Sequence, residues 1–150
     1  MTDLHMPTLR QADRADWRVI EALLLESGLP VDDLDADSLE GFLIAEDDSK
    51  VVGLIGLQLY GTVGLLRSLV VTKAARRLGL GGKLVGALES AADVAGVTEL
   101  WLLTVDANRF FERHGFEVVA RNLVPASIAQ SEEFTDLCPG SAFLMHKNIT

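Results

Sequence analysis

Between Arg67 and Lys83 the chain carries five basic side chains (Arg67, Lys73, Arg76, Arg77 and Lys83) and no acidic one, with glycines at 79, 81 and 82. Glycines without a Cβ let the backbone come close to an anion, and Arg76, Arg77 and Lys83 can add charge-assisted contacts. The run follows a strand-like segment, Leu69-Val70-Val71-Thr72, and opens an amphipathic helical pattern from Leu80. Exposed N–H groups and the positive dipole end at such a helix start favour phosphate. The stretch therefore reads as a pyrophosphate cradle, against the plainer reading of a solvated charged turn. It is no Walker loop, because Arg77 and Leu84 stand where that motif requires a glycine and a hydroxyl residue. It also misses the dinucleotide fingerprint, since Leu84 takes the place of the third glycine.

Other residues with chemical potential are scattered. Arg67 lies on a strand that reads as buried on both faces, where a guanidinium without a partner would be costly. It either clamps a carboxylate of a bound molecule or pairs with one of the N-terminal acids. Arg121, at the end of a later strand, is a second candidate of the same kind. Cys138 has no base partner in view and reads as a turn or core thiol, and His5, His114 and His146 show no ligand spacing. No metal site is expected. His114 reads as a helix-end residue favoured by the dipole, and Trp17 and Trp101 read as packing residues.

The elements that must position these residues follow from periodicity and punctuation. A short strand at 8–10 precedes a helix over 12–27, which Gly28 and Pro30 end; 32–39 reads as a short helix or turn. Strands follow at 41–45, 51–60 and 65–72, the first two forming a hairpin across 46–50. Leu80, Leu84, Ala87, Leu88, Ala91 and Ala95 form the stripe of a helix stopped by Gly96. A buried strand at 99–105, a short helix at 108–114 stopped by Gly115 and a strand at 116–121 come next. A short helix near 126–134, a Cys138-Pro139-Gly140 turn and a strand at 141–146 end the pattern. The order predicts one α/β domain over 1–150, with a mixed sheet of six to seven strands flanked by helices.

Composition excludes several classes. The chain of 150 residues has a net charge of −9, and all of the imbalance lies in residues 1–50, with 13 acidic and 4 basic side chains. A basic face for nucleic acid is absent, and the apolar runs fall far short of the roughly 20 residues of a membrane span. One cysteine and no apolar leader segment are consistent with a cytoplasmic location.

Arg76-x-x-Gly79-x-Gly81 after a strand ending Leu69-x-Val71 resembles the acetyl-coenzyme A motif of the GNAT superfamily of N-acetyltransferases. The short helix ending Phe111-Glu112-Arg113-His114-Gly115-Phe116 is similar to a second family signature, and the likeness runs over residues 8–147. The resemblance implies acetyl-CoA as cosubstrate, no metal, direct attack of an amine in a ternary complex, and a sheet splayed at the coenzyme. By position, Leu69, Val70 and Val71 would line the pantetheine arm, and an N–H near Val71 would polarise the thioester carbonyl. Arg76, Arg77, Leu78, Gly79, Leu80, Gly81, Gly82 and Lys83 would hold the pyrophosphate, with Asn108 and Phe111 beside the coenzyme arm. The family's usual acid is a tyrosine where this chain has Phe111, and its only tyrosine is Tyr60. The family's glutamate base is replaced by Ser68 and Thr104, which could hold a water or satisfy strand-end backbone groups.

The segments Leu65–Val71, Asn122–Ser127 and Ser141–Met145 are similar to a bacterial group of arsenic-resistance acetyltransferases and to the catalytic domain of N-acetylglutamate synthases. Both resemblances imply transfer to the α-amino group of an acidic amino acid or analogue, whose carboxylate would suit Arg67. Direct arsenic binding is not implied, since one cysteine cannot build a thiolate cluster. Two alternatives are acetylation of a peptide or protein, and a coenzyme-binding sensor that has lost catalysis. The superfamily also implies that a homodimer is possible.

Overall fold

A computed structural model of the chain describes residues 7–131, 134 and 141–150. His5, the Cys138-Pro139-Gly140 turn and part of the helix expected over 126–134 lie outside the described residues. Seven strands form one sheet in the order β1-β2-β3-β4-β5-β7-β6. They are β1 (Thr8–Gln11), β2 (Phe42–Asp47), β3 (Lys50–Tyr60), β4 (Val63–Val71), β5 (Glu99–Thr104), β6 (Glu117–Val119) and β7 (Phe143–Asn148). The helices are α1 (Trp17–Glu26), α2 (Leu80–Val94), α3 (Asn108–Arg113) and α4 (Ala126–Ala129). Among the described residues, no helix is long and apolar enough to cross a membrane. The chain groups into two compact units, Met1–Gly56 with Ser68–Leu88, and Leu57–Arg67 with Glu89–Thr150.

In the first unit a capping box opens the helical region: Ala15 N–H donates to Asp13 Oδ1 (2.9 Å), and Asp13 N–H donates to Asp16 Oδ2 (2.8 Å). This 3-10 turn, Arg14–Asp16, runs straight into α1. Ile20 and Leu24 of α1 are fully buried against Phe42, Ile44 and Leu54, with Trp17 and Leu23 packed on the rim. Each such side chain contributes roughly 1.5–3 kcal/mol by leaving water. Gly28 at φ 68° ends the helix, with Leu29 N–H returning to Leu24 O at 3.0 Å. The β2–β3 hairpin closes through Asp48 and Ser49, both at positive φ, as a two-residue hairpin turn requires.

Residues 32–39 form turns with no helix. Asp35 captures its own neighbourhood, its Oδ1 accepting from Asp37 N–H (2.8 Å) and from the Ser38 hydroxyl (3.0 Å). Such local bonds compete with a helical ladder. Gly53 lets α2 lie against β3, since a Cβ there would stand 3.1 Å from both Leu80 and Leu84. Arg10 ties β1 to the turn and to β2 through Asp16 (2.8 Å) and Glu46 (2.8 Å). Hydrogen bonds from Arg10 hold the Asp16 and Glu46 carboxyls below the usual range, and those same bonds raise the guanidinium further.

In the second unit β5 pairs with β7 over six residue pairs, from Glu99–Asn148 to Thr104–Phe143, and β7 pairs with β6. Both ladders are antiparallel. The parallel register of β4 with β5 spans Val63–Glu99, Gly64–Leu100 and Leu65–Trp101. Leu65, Trp101, Ile128 and Leu144 form the core here, with Tyr60 and Phe134 packed against it. The last strand begins at Phe143, two residues later than the apolar pattern suggests, because Ala142 O is held by Arg121 Nη1 at 2.9 Å.

Candidate active site

The first unit holds the segment from Ser68 to Lys83. Ser68 has φ 62° inside β4, a left-handed residue that interrupts the pleat of a buried strand. Such a conformation costs a non-glycine residue about 1–2 kcal/mol. Backbone strain of this kind marks a position where the amide direction matters. After it come Leu69, Val70 and Val71, with Val70 buried and its neighbours half-buried. Thr72 N–H then donates to Val52 O (2.9 Å) and ends the strand.

The basic run folds into a 3-10 turn, Lys73–Leu78, which carries Arg76 and Arg77. Gly79 follows in the left-handed conformation (φ 68°), with nothing within 4 Å of where its Cβ would be, and α2 begins at Leu80. Arg76 is exposed and steadied at one edge, its Nε donating to Val71 O at 3.0 Å. Lys83 N–H reaches Gly79 O at 3.3 Å, so the amides of Leu80, Gly81 and Gly82 precede the first bond of the helical ladder. Exposed Lys83, exposed Arg76 and three forward amides are a donor set that fits a pyrophosphate. The 3-10 turn itself lies beyond what the glycine spacing predicts.

The second unit holds the other candidates. Arg67 is 2% exposed on β4. Thr104 ends β5, and its Oγ1 accepts from Ala107 N–H at 3.0 Å, bracing the entry to α3. Asn108 is half-buried in the first turn of α3. Phe111 is 4% exposed and stacks edge-on with Phe110 (5.1 Å) and Phe116 (5.6 Å). It offers no ionisable group, and Tyr60 lies on β3 against the core of this unit. Arg121 sits in a 3-10 turn (Arg121–Leu123), bonded to Ala142 O and 4.8 Å above the Phe134 ring.

One contact of the short helix escapes sequence reasoning. The Lys147 ammonium, on β7, donates to Glu89 Oε2 and to His114 O, both at 2.8 Å. This ammonium thus joins Arg113 of the last turn as a basic group at the end of α3, while the His114 ring lies 4.6 Å from Phe110. A hollow of about 300 Å³ lies in the first unit between the turn after β1 and residues 36–40. Asp13, Arg14, Asp37 and Glu40 are among its lining, Arg14 pairs with Asp37, and none of the site residues expected from the sequence lines it.

The family model of the acetyltransferase (GNAT) domain matches residues 38–118, which include the strand, the basic turn, α2, β5 and α3. The chain belongs to the GNAT acetyltransferase family. An uncharacterized N-acetyltransferase of Chlorobaculum tepidum is 31% identical over 94 residues, 61% of this chain and 59% of that protein. N-acetylglutamate synthase from Neisseria gonorrhoeae, solved with coenzyme A and N-acetyl-glutamate, superposes with a TM-score of 0.82 at 21% identity. That match covers 99% of this GNAT chain and 36% of the synthase. Rv2747 from Mycobacterium tuberculosis, in complex with CoA and NLQ, gives a TM-score of 0.78 at 24% identity, over 95% of this chain and 99% of that one. At these identities the solved neighbours establish the GNAT fold, and this chain spans only part of the first relatives it matches.

Proposed function

We propose that this chain is a single-domain acetyl-CoA-dependent N-acetyltransferase acting on the amino group of a small acidic acceptor, an amino acid or an analogue. The observation that carries the reading is the continuous segment from the Ser68 kink through the basic turn to the start of α2. Acetyl-CoA supplies the thioester whose acetyl group is transferred. Gly81 and Gly82 amides with Arg76, Arg77 and Lys83 bind the pyrophosphate, Leu78, Gly79 and Leu80 giving the turn its shape. Backbone groups of Leu69, Val70 and Val71 bind the pantetheine arm, and the Val71 N–H steadies negative charge on the carbonyl oxygen. Asn108 and Phe111 take part in holding the arm.

The acceptor nitrogen attacks the thioester carbon as a free amine, the carbon–sulfur bond breaks, and the sulfur leaves with the electron pair. A thiol of pKa about 8.5 leaves acceptably as the anion, so a phenylalanine at 111 is compatible with turnover. The ammonium proton passes to water, for which the Ser68 hydroxyl and the Thr104 hydroxyl are the two candidate holders. Arg67 binds the acceptor carboxylate, with Arg121 as a second contact through a nitrogen not engaged with Ala142. The synthase solved with N-acetyl-glutamate supports an acidic acceptor.

Coenzyme-dependent thiol release against free amino acids, phosphono and arsono analogues, polyamines and short peptides tests the reading. Release with glutamate-like acceptors is expected, with the acceptor KM rising roughly 10- to 100-fold in Arg67→Ala while coenzyme affinity stays. Release with peptides alone would move the reading to protein acetylation. Coenzyme binding with no release on any acceptor would overturn catalysis in favour of a sensor.

A further inference from the structure

We propose that Lys147 is a positioning residue for the coenzyme: from β7 it clamps the C-terminal end of α3 and thereby sets Asn108 and Phe111. The inference rests on the acetyl-CoA reading above. α3 has six residues, too few to be stable on its own. Its entry is braced by the Thr104 hydroxyl on Ala107 N–H. Its exit presents carbonyls that the helix cannot satisfy internally, at the negative end of its dipole. Phe116 N–H returns to Phe111 O at 3.0 Å and answers one of them, and the Lys147 ammonium answers the His114 carbonyl at 2.8 Å.

The clamp is aimed from two sides. Glu89, in the C-terminal half of α2, holds the ammonium at 2.8 Å, and the Phe116 ring lies 5.7 Å beneath it. A carboxylate, a carbonyl and an aromatic face thus fix one nitrogen, while Lys147 itself is held in the β5–β7 ladder opposite Leu100. Gly115 provides the passage. It has φ 91°, and a Cβ there would stand 3.0 Å from Lys147 Cε and 3.2 Å from Nζ. This glycine therefore ends α3 and also leaves room for the lysine stem.

Two variants separate the clamp from ordinary stability. Lys147→Met keeps the stem and removes the ammonium; Gly115→Ala keeps the charge and displaces it. Titration calorimetry with coenzyme A, well below each variant's melting point, reads the coenzyme affinity, and steady-state kinetics split the two KM values. Both variants are expected to weaken coenzyme A binding and raise the acetyl-CoA KM roughly 10- to 100-fold, the scale of losing one or two well-placed hydrogen bonds to the coenzyme. The acceptor KM stays unchanged, and Lys147→Arg recovers most of the loss. Variants that melt earlier yet bind coenzyme A as tightly as the unaltered chain would overturn the inference alone. Absence of coenzyme A binding by the unaltered chain would overturn the functional reading and this inference together.

Discussion

Replacing Ser68 by glycine and by alanine in parallel tests whether the kink in β4 is a backbone requirement. Among the described residues, Ser68 is the strand-interior position outside glycine with a left-handed φ, at 62°, and it is 7% exposed. Both variants lose the hydroxyl, so their comparison cancels that loss. In an ordinary strand alanine is the more stable by about 0.5–1 kcal/mol, because glycine loses more chain freedom on folding. At a left-handed position alanine carries a steric cost of about 1–2 kcal/mol that glycine does not. The balance reverses, leaving glycine ahead by roughly 0.5–1 kcal/mol. For a chain of this size that is a melting-point gap of about 1–4 °C, measurable by calorimetry or urea titration. Valine, β-branched and stiff, should fall below alanine. If Ser68→Ala melts at or above Ser68→Gly, the kink is not left-handed and the amide argument for Val71 fails. The same pair reads the chemistry: a hydroxyl that holds the reacting water costs rate in both variants, whereas a role confined to backbone direction leaves Ser68→Gly active.

Asp16→Asn should lower stability by about 1–2 kcal/mol at neutral pH, a figure discounted for the exposed side of Arg10. Because the Arg10 hydrogen bond lowers the Asp16 pKa in the folded state, its contribution is full above about pH 4, the unfolded value, and fades as pH falls through the folded one. Melting curves of the two proteins should therefore converge toward pH 2, and a constant gap would sink the idea. Gly56→Ala should cost about 1–3 kcal/mol, since a Cβ would stand 2.7 Å from the Phe42 ring; denaturant titration checks it. Gly79→Ala has free space around it, so only the conformational cost of about 1 kcal/mol applies. Gly79→Asn should cost less, and coenzyme A titration of both reports whether the turn's shape matters to binding.

Strands and the long helix were legible because their periods and glycine stops are local. Leu80, Leu84 and Leu88 mark one face of α2, and Gly28, Gly96 and Gly115 all have positive φ in the structure. At the acid-rich stretch 32–39 the same logic left a short helix and a turn both open, and the structure has the turn: Asp35 and Ser38 bond their own backbone, and polar composition alone does not separate a turn from a first helical turn. The 3-10 turn at 73–78 was hidden for a related reason: six residues carry too little periodicity to announce a helix. Ser68 looks like any strand serine, because its positive φ comes from the surrounding sheet and not from its own type. The basic cradle was visible as composition in one short window. Lys147 over Gly115 was not, because 32 positions separate them and no pattern in either neighbourhood names the other.

The place of β7 in the sheet has a consequence for synthesis. It lies between β5 and β6, although both precede it in the chain. While a ribosome is still making residues 143–148, β5 and β6 each have a side whose amides and carbonyls await that strand. Leu100, Trp101 and Leu102 belong to such a side, and an unpaired apolar strand is a template for the wrong neighbour. A nascent chain stalled short of Phe143 should therefore be the species that aggregates or recruits a chaperone, and release of six further residues should be what ends that vulnerability.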